Sequence, residues 1–282
     1  MPIQISISNA VGARDATASA PSLLLDIYPS AAAAYSLRLL RTAYSGNSIR
    51  VRRSSDNAEQ DIAFVGNDLD TASLLTFCGA GNGFVTTWYD QSGNANDATQ
   101  STAVNQCQIV SSGALILDAN TGKITSTWTN DRYTLASGIS ANTKYLSVSM
   151  FKRGGTSTDI LVHLGNSASI IPTPLLWLGA GSAYSIRSYM ASLLSFQTVS
   201  TVGRCIITSL KDASNLKVAY RNGTQLTTTA TQAPTATTLN TFGQASALFT
   251  SGQYQEYIYW NSEQSANRVG IETDINTYWN AY

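Results

Sequence analysis

The run Asp90-Gln91-Ser92-Gly93-Asn94-Ala95-Asn96-Asp97 is the densest collection of chemistry-capable side chains in the sequence, and it follows the alternating stretch Phe84-Val85-Thr86-Thr87-Trp88-Tyr89. Asp90, Ser92, Asn94 and Asn96 place an oxygen ligand at every second position, as a calcium-binding loop does. The match goes no further: glycine falls at the fourth position instead of the sixth, and no Glu closes the loop at the twelfth. A loop bonded to itself is the stronger expectation, with Asp90 accepting backbone N–H groups, and no metal is expected. Gln91 and Gly93 belong to the same structural loop.

His163 is the single histidine. A nucleophilic triad would need a carboxylate and a nucleophile around it. It sits in an apolar stretch, so a structural histidine is the default reading. Cys78, Cys107 and Cys205 are far apart and form no CxxC pair, so free thiols are expected, with one disulfide as the minority case. Trp88, Trp128, Trp177, Trp260 and Trp279, with fourteen tyrosines, offer ring faces on which sugar C–H groups stack. The plainer role of most tryptophans is to fill a core. Trp88 and Trp260 are assigned to the core, and Trp177 and Tyr189 are the better candidates for glycan contact.

The elements that must position these residues are mostly strands. The 282 residues suit one large β domain or two small ones. Only 12% are charged, about half the usual share, and 17 basic residues balance 17 acidic ones. A neutral chain has no electrostatic grip on phosphate backbones or anionic lipid, which excludes nucleic-acid and membrane-surface binding as leading functions. No run approaches the roughly 18 apolar residues of a spanning helix. Met1-Pro2-Ile3-Gln4-Ile5-Ser6 lacks a basic region and an apolar region, so no signal peptide is expected and synthesis is placed in the cytoplasm.

Residues 1–25 turn small and polar and read as an arm, either flexible or lent to a neighbouring subunit. Ser30 as a cap and the alanines 31–34 predict a helix over 31–42. Ile49 and Val51 alternate with Arg50 and Arg52, and Asp56, Glu59 and Asp61 follow closely enough to neutralise the arginines. A second short helix is predicted over 70–77. Many short β-like runs follow, and the Asn222-Gly223 turn between 216–220 and 224–226 is the clearest hairpin. A last strand over 253–260 precedes a closing helix with Arg268, Ile271, Ile275 and Tyr278 at helical steps and Ser262 as its cap. Many short strands without long intervening helices mean a sandwich or a barrel.

The start over 31–53, Thr76-Phe77-Cys78, the loop Trp88-Tyr89-Asp90-Gln91-Ser92-Gly93-Asn94 with Thr99-Gln100 behind it, and the final Tyr257 strand and helix resemble the catalytic domain of the fungal α-L-arabinofuranosidase B family. Most of residues 26–282 is covered. The resemblance implies an all-β, concanavalin A-like antiparallel β-sandwich (a jelly roll, also termed laminin-G-like) with short N-terminal helices and a C-terminal helix. Similar domains occur in bacteriophage structural proteins and bacterial surface proteins.

That family cleaves arabinofuranosides with two carboxylates, roughly 5 Å apart in retaining enzymes. By the resemblance the nucleophile falls in the strand after Gly179-Ala180-Gly181, around Tyr189, Met190 and Ala191. The acid/base falls in Phe242-Gly243-Gln244-Ala245-Ser246. Neither segment carries Asp or Glu, and the family's adjacent cysteines are missing near Leu161-Val162-His163. By the same resemblance His163 points near the sugar pocket and joins Trp177 and Tyr189 as a candidate glycan contact.

The expectation from these residues is a non-enzymatic virion component: a capsid decoration or fibre protein, or a tail adhesin with weak glycan contact. It would be made in the host cytoplasm and assembled as a homo-oligomer through the arm 1–25, with other virion proteins and host-surface glycans as partners. No cofactor is expected. The rivals are a glycoside hydrolase of arabinofuranosidase type with repositioned acids (Asp159, Asp212 or Glu256) and a surface carbohydrate-binding module of a bacterium, extracellular or on the cell surface.

Overall fold

The structure, a computed structural model, describes residues 22–141, 144–152, 160–169, 173–180, 183–189, 193–199, 203–226, 229–231 and 237–282. Every strand pairing among the described residues is antiparallel. In the first layer Glu59–Ile62, Ile49–Arg53, Gly83–Trp88, Ala98–Thr99, Tyr133–Ala141, Thr237–Phe242 and Leu164–Gly165 pair in succession. In the second, Ala33–Ser36 pairs with the long strand Leu248–Trp260, followed by Tyr145–Lys152, Arg204–Lys211 and Leu216–Arg221. Ser126–Asp131 lies between residues 250–254 of the long strand and Gln108–Ser111, which it meets at Thr127. A separate sheet holds Ile160–Val162, Thr173–Ala180, Ala183–Tyr189 and Leu193–Val199.

The two layers meet through aromatic rings. Phe242 of the first stacks on Tyr35 and Tyr257 of the second at centroid distances of 4.9 and 5.6 Å. Trp128 stands edge-on to Phe242 at 5.1 Å and tilted to Trp88 at 6.3 Å. Such offset and edge contacts add to the large area these rings bury. Trp88 and Trp260 lie in this core, as their sequence context predicts.

Three α-helices among the described residues flank the layers. Helix α1 is one turn, Leu24–Ile27, and its Leu24 and Leu25 belong to the core. Residues 1–21, most of the predicted arm, lie outside the described residues. Helix α2, Thr71–Cys78, matches its prediction, and Asp70 caps it by accepting from the Ser73 N–H at 2.9 Å. Helix α3, Arg268–Trp279, starts after Asn267 instead of following a Ser262 cap, and it buries Ile271, Glu272, Ile275 and Trp279. The Asn222-Gly223 hairpin forms as predicted, with φ of 51° and 75° in its turn. Arg50 pairs with Glu59 and Asp61, and Arg53 with Asp56, so the basic strand is locally neutralised.

The helix predicted over 31–42 does not form. Ala33–Ser36 is a strand whose residues face Tyr259, Ile258, Tyr257 and Glu256 in turn. Alanine's helix propensity is a few tenths of a kcal/mol per residue against its competitors, and specific partners outweigh it here. The Ala34 N–H donates to Asp90 Oδ1 at 2.8 Å, and the Ala34 carbonyl accepts from the Gln91 N–H at 2.8 Å. Ala31 to Ala34 are all buried, so their small side chains allow this close approach.

Candidate functional site

The 90–96 loop follows the strand Gly83–Trp88 and is held by its own aspartate. Asp90 accepts from the N–H groups of Ala34, Ser92 and Asn96 at 2.8, 2.9 and 3.0 Å and from the Ser92 hydroxyl at 2.7 Å. Four donors thus occupy both carboxylate oxygens, the self-bonded loop the sequence predicts. Gln91 is fully buried and ties the loop to the neighbouring chain: its Oε1 accepts from the Leu40 N–H, and its Nε2 donates to the carbonyls of Ser36 and Arg38. Asp97 accepts from the Asp90 N–H at 2.9 Å, and burial, with the Asp90 charge beside it, pushes its carboxyl above the usual range.

Beside this loop opens a cleft of about 490 Å³. Ser92, Asn94 and Asn96 line it from the loop, Ser137 and Ser140 from the strand Tyr133–Ala141, and Asn261 also lines it. The strand's share of the lining exists because Tyr133–Ala141 arches off its partner: Thr134 faces Thr241 and Ile139 faces Leu239, so five steps on one strand oppose two on the other. The surplus residues leave the ladder to Thr237–Phe242; Leu135 pairs instead with Ala98, and the Ala136 N–H donates to the Asp97 carbonyl at 2.9 Å, which seats the arch on the end of the loop. None of the lining residues is charged or aromatic. The sequence reading missed Asn96, Ser137, Ser140 and Asn261 as lining residues. The one available signal was Gly138 interrupting an alternating strand, a common mark of a bulge.

The region marked by the resemblance is built differently. His163 is fully buried, its Nε2 lies 3.1 Å from the Ser149 hydroxyl, and the rings of Phe151, Tyr254 and Tyr257 surround it. Burial holds its imidazole down at about 3, so it is neutral at ordinary pH. Its carbonyl accepts from the Gly243 N–H at 2.9 Å, which places it directly under the turn containing Gln244. Gly165 passes so close to that turn that an added Cβ would lie 2.1 Å from the Gln244 carbonyl oxygen. Trp177 and Tyr189 lie in neighbouring strands of the separate sheet, Trp177 opposite Ile186 and Tyr189 opposite Thr173, and their side chains lie outside the described residues.

Two of the three acids considered for repositioned chemistry are committed elsewhere. Glu256 receives Arg38 Nε at 2.7 Å, Arg38 Nη2 at 3.0 Å, the Ser36 hydroxyl at 2.8 Å and the Trp279 indole N–H at 2.9 Å. Asp212 closes a turn by accepting from the Ser214 and Leu216 N–H groups. Asp159 lies outside the described residues. Asp131 is buried where the strand Ser126–Asp131 shifts register, accepts from the Thr129 N–H at 2.6 Å, and is pushed up to about 7 by burial. No cluster of three or more potential metal ligands occurs among the described residues. All three cysteines are buried free thiols.

Comparison with known proteins gives this architecture a context. Residues 25–145 match the family model described as "Alpha-L-arabinofuranosidase B, catalytic". A probable α-L-arabinofuranosidase B of Aspergillus clavatus is 40% identical over 82 residues, 27% of this chain and 16% of that protein. A GH54 α-L-arabinofuranosidase soaked with a cyclic sulfate inhibitor superposes with a TM-score of 0.62 at 15% identity. An arabinofuranosidase complexed with arabinofuranosyl-α-1,2-xylobiose superposes with a TM-score of 0.57 at 16% identity. Each superposition covers 88% of this chain and 63% of the other, so the chain spans less than two thirds of these relatives.

These findings correct the expected role. What residues 25–145 match is the family model of an arabinofuranosidase B catalytic domain, and the reading as a non-enzymatic bacteriophage virion protein is overturned by that match. The two segments without carboxylates, around residues 189–191 and 242–246, lie beyond the matched stretch. The chain is a β-sandwich whose residues 25–145 carry the sequence pattern of the arabinofuranosidase B catalytic family.

Proposed function

We propose that the chain is a glycoside hydrolase domain of the arabinofuranosidase type, acting on α-L-arabinofuranosides. The observation that carries this reading is the family match over residues 25–145, which includes the whole 90–96 loop. The sandwich shared with two arabinofuranosidases over 88% of the chain supports it. Hydrolysis needs two carboxyl groups about 5 Å apart for retention of configuration, or roughly 6.5–9.5 Å apart for inversion. By the resemblance the acid/base falls within residues 242–246, which hold no Asp or Glu. The pair is therefore drawn from other acids. With Asp212 and Glu256 committed to turn and core, Asp159 is the first of the three to test.

The test is release of 4-nitrophenol from 4-nitrophenyl α-L-arabinofuranoside. Release above the buffer rate, lost in Asp159→Asn or another single Asp or Glu replacement that leaves the fold intact, is the expected result. Absence of release at high protein concentration over many hours refutes the reading.

A further inference from the structure

We infer that the cleft between the 90–96 loop and the arched segment 134–139 is a binding site for a neutral, hydroxyl-rich ligand, a sugar residue of a glycan chain. The inference does not depend on hydrolysis. It rests on how the polar atoms of the cleft are already used.

The Asn94 amide nitrogen donates to the carbonyls of Ala31 and Ala32 at 2.9 and 3.3 Å and to the Ser92 hydroxyl at 3.0 Å. The Asn96 amide nitrogen donates to the Ala32 carbonyl at 3.1 Å. Both amides are thereby fixed, with their nitrogens turned to the protein and their oxygens left as acceptors. The Asn96 oxygen is buried and has no hydrogen-bond partner, in a residue only 7% exposed. A native fold seldom leaves a buried acceptor of this kind without a partner. Opposite stand the exposed residues Ser137 and Ser140, whose hydroxyls donate and accept equally well.

The charge pattern selects the ligand class. An anion finds no positive side chain in the lining, because Arg41 at the outer side of the loop is tied to the Ser92 carbonyl at 2.8 Å. A cation finds Asp90 already saturated by four donors. An apolar ligand would strand the amide oxygens and hydroxyls. Fixed acceptors facing hydroxyls that work both ways suit the adjacent O–H groups of a sugar. The volume of about 490 Å³ lies within the range of small-molecule sites.

The experiment is a titration of the intact chain with α-1,5-arabinotriose and xylotriose, followed by ligand-observed NMR and calorimetry, with trigalacturonic acid as the charged control. Ser137→Trp and Ser140→Trp fill the cleft from exposed positions. The expected result is binding of at least one neutral trisaccharide that weakens tenfold or more in both variants, with unchanged unfolding temperatures. Release of nitrophenol by the native chain is measured in parallel: trisaccharide binding without release supports this site and counts against the hydrolytic reading alone. Unaltered binding in both tryptophan variants overturns the inference. So does binding of neither neutral trisaccharide at about 10 mM, on the order of the weakest useful affinity, and so does equal binding of the charged one.

Discussion

Replacing Asp131 by Asn gives a stability change whose dependence on pH follows from its position. The carboxyl is buried at the register shift of the strand Ser126–Asp131, accepts from the Thr129 N–H, and is pushed up by burial from its ordinary 3.8 to about 7. Between these values the folded chain keeps a proton that the unfolded chain has lost. The folded state then binds more protons, so this group's contribution to stability falls as pH rises from about 4 to about 7. At about 1.4 kcal/mol per tenfold change in proton concentration, the full interval amounts to at most about 4 kcal/mol. Relaxation of the fold around the charged carboxylate reduces that, and about 2–4 kcal/mol is the expected span. The substituted amide keeps an oxygen for the Thr129 N–H but has no proton to lose. Unfolding free energies from urea titrations of both chains, followed by tryptophan fluorescence at pH 4, 5, 6, 7 and 8, give the difference directly. The Asp131→Asn chain should gain on the native one between pH 4 and 7 and run parallel to it above. A difference that stays constant from pH 4 to 8, whatever its size, would refute the reasoning.

Two further substitutions test the scaffold. Glu256→Gln removes the charge that faces Arg38 in the core, leaving the guanidinium only the more exposed side of its network at Asp274, 2.7 Å away. A loss of about 3–5 kcal/mol is expected from breaking such a buried pair, measured as a fall in the urea midpoint. Gly165→Ala drives a methyl group into the Gln244 carbonyl. Because the obstacle is backbone, an overpacking cost of about 1–3 kcal/mol or more is expected, read by thermal unfolding; an unchanged midpoint would show that the turn is free to shift.

The parts of the fold that were legible share a physical cause. The strand before Asp90, the Asn222-Gly223 hairpin and the Asp70-capped helix each carry their instruction locally, in alternation, in positive-φ residues or in a side-chain cap. The alanine run failed because its fate is decided by residues far away: Asp90 and Gln91 take its backbone groups, and Tyr259 lies beside it. The self-bonding of Asp90 could be read from the spacing of Ser92 and Asn96. The cleft could not, since part of its lining is an arch in another strand, announced only by Gly138. Arg38 and Glu256 lie 218 residues apart in sequence, and nothing local marks them as partners.

The long strand Leu248–Trp260 has Ala33–Ser36 on one side and Tyr145–Lys152 on the other. During synthesis, the first of these has no sheet to join until the long strand, more than two hundred residues later, has left the ribosome. Non-local pairing of this kind slows folding, since the intervening chain must be closed before any contact rewards it. The nascent chain therefore emerges with an unfilled slot and a row of bare backbone groups, a state open to wrong strand partners. Expression yield should depend on chaperone capacity more strongly than the finished sandwich, with its aromatic interior, would suggest.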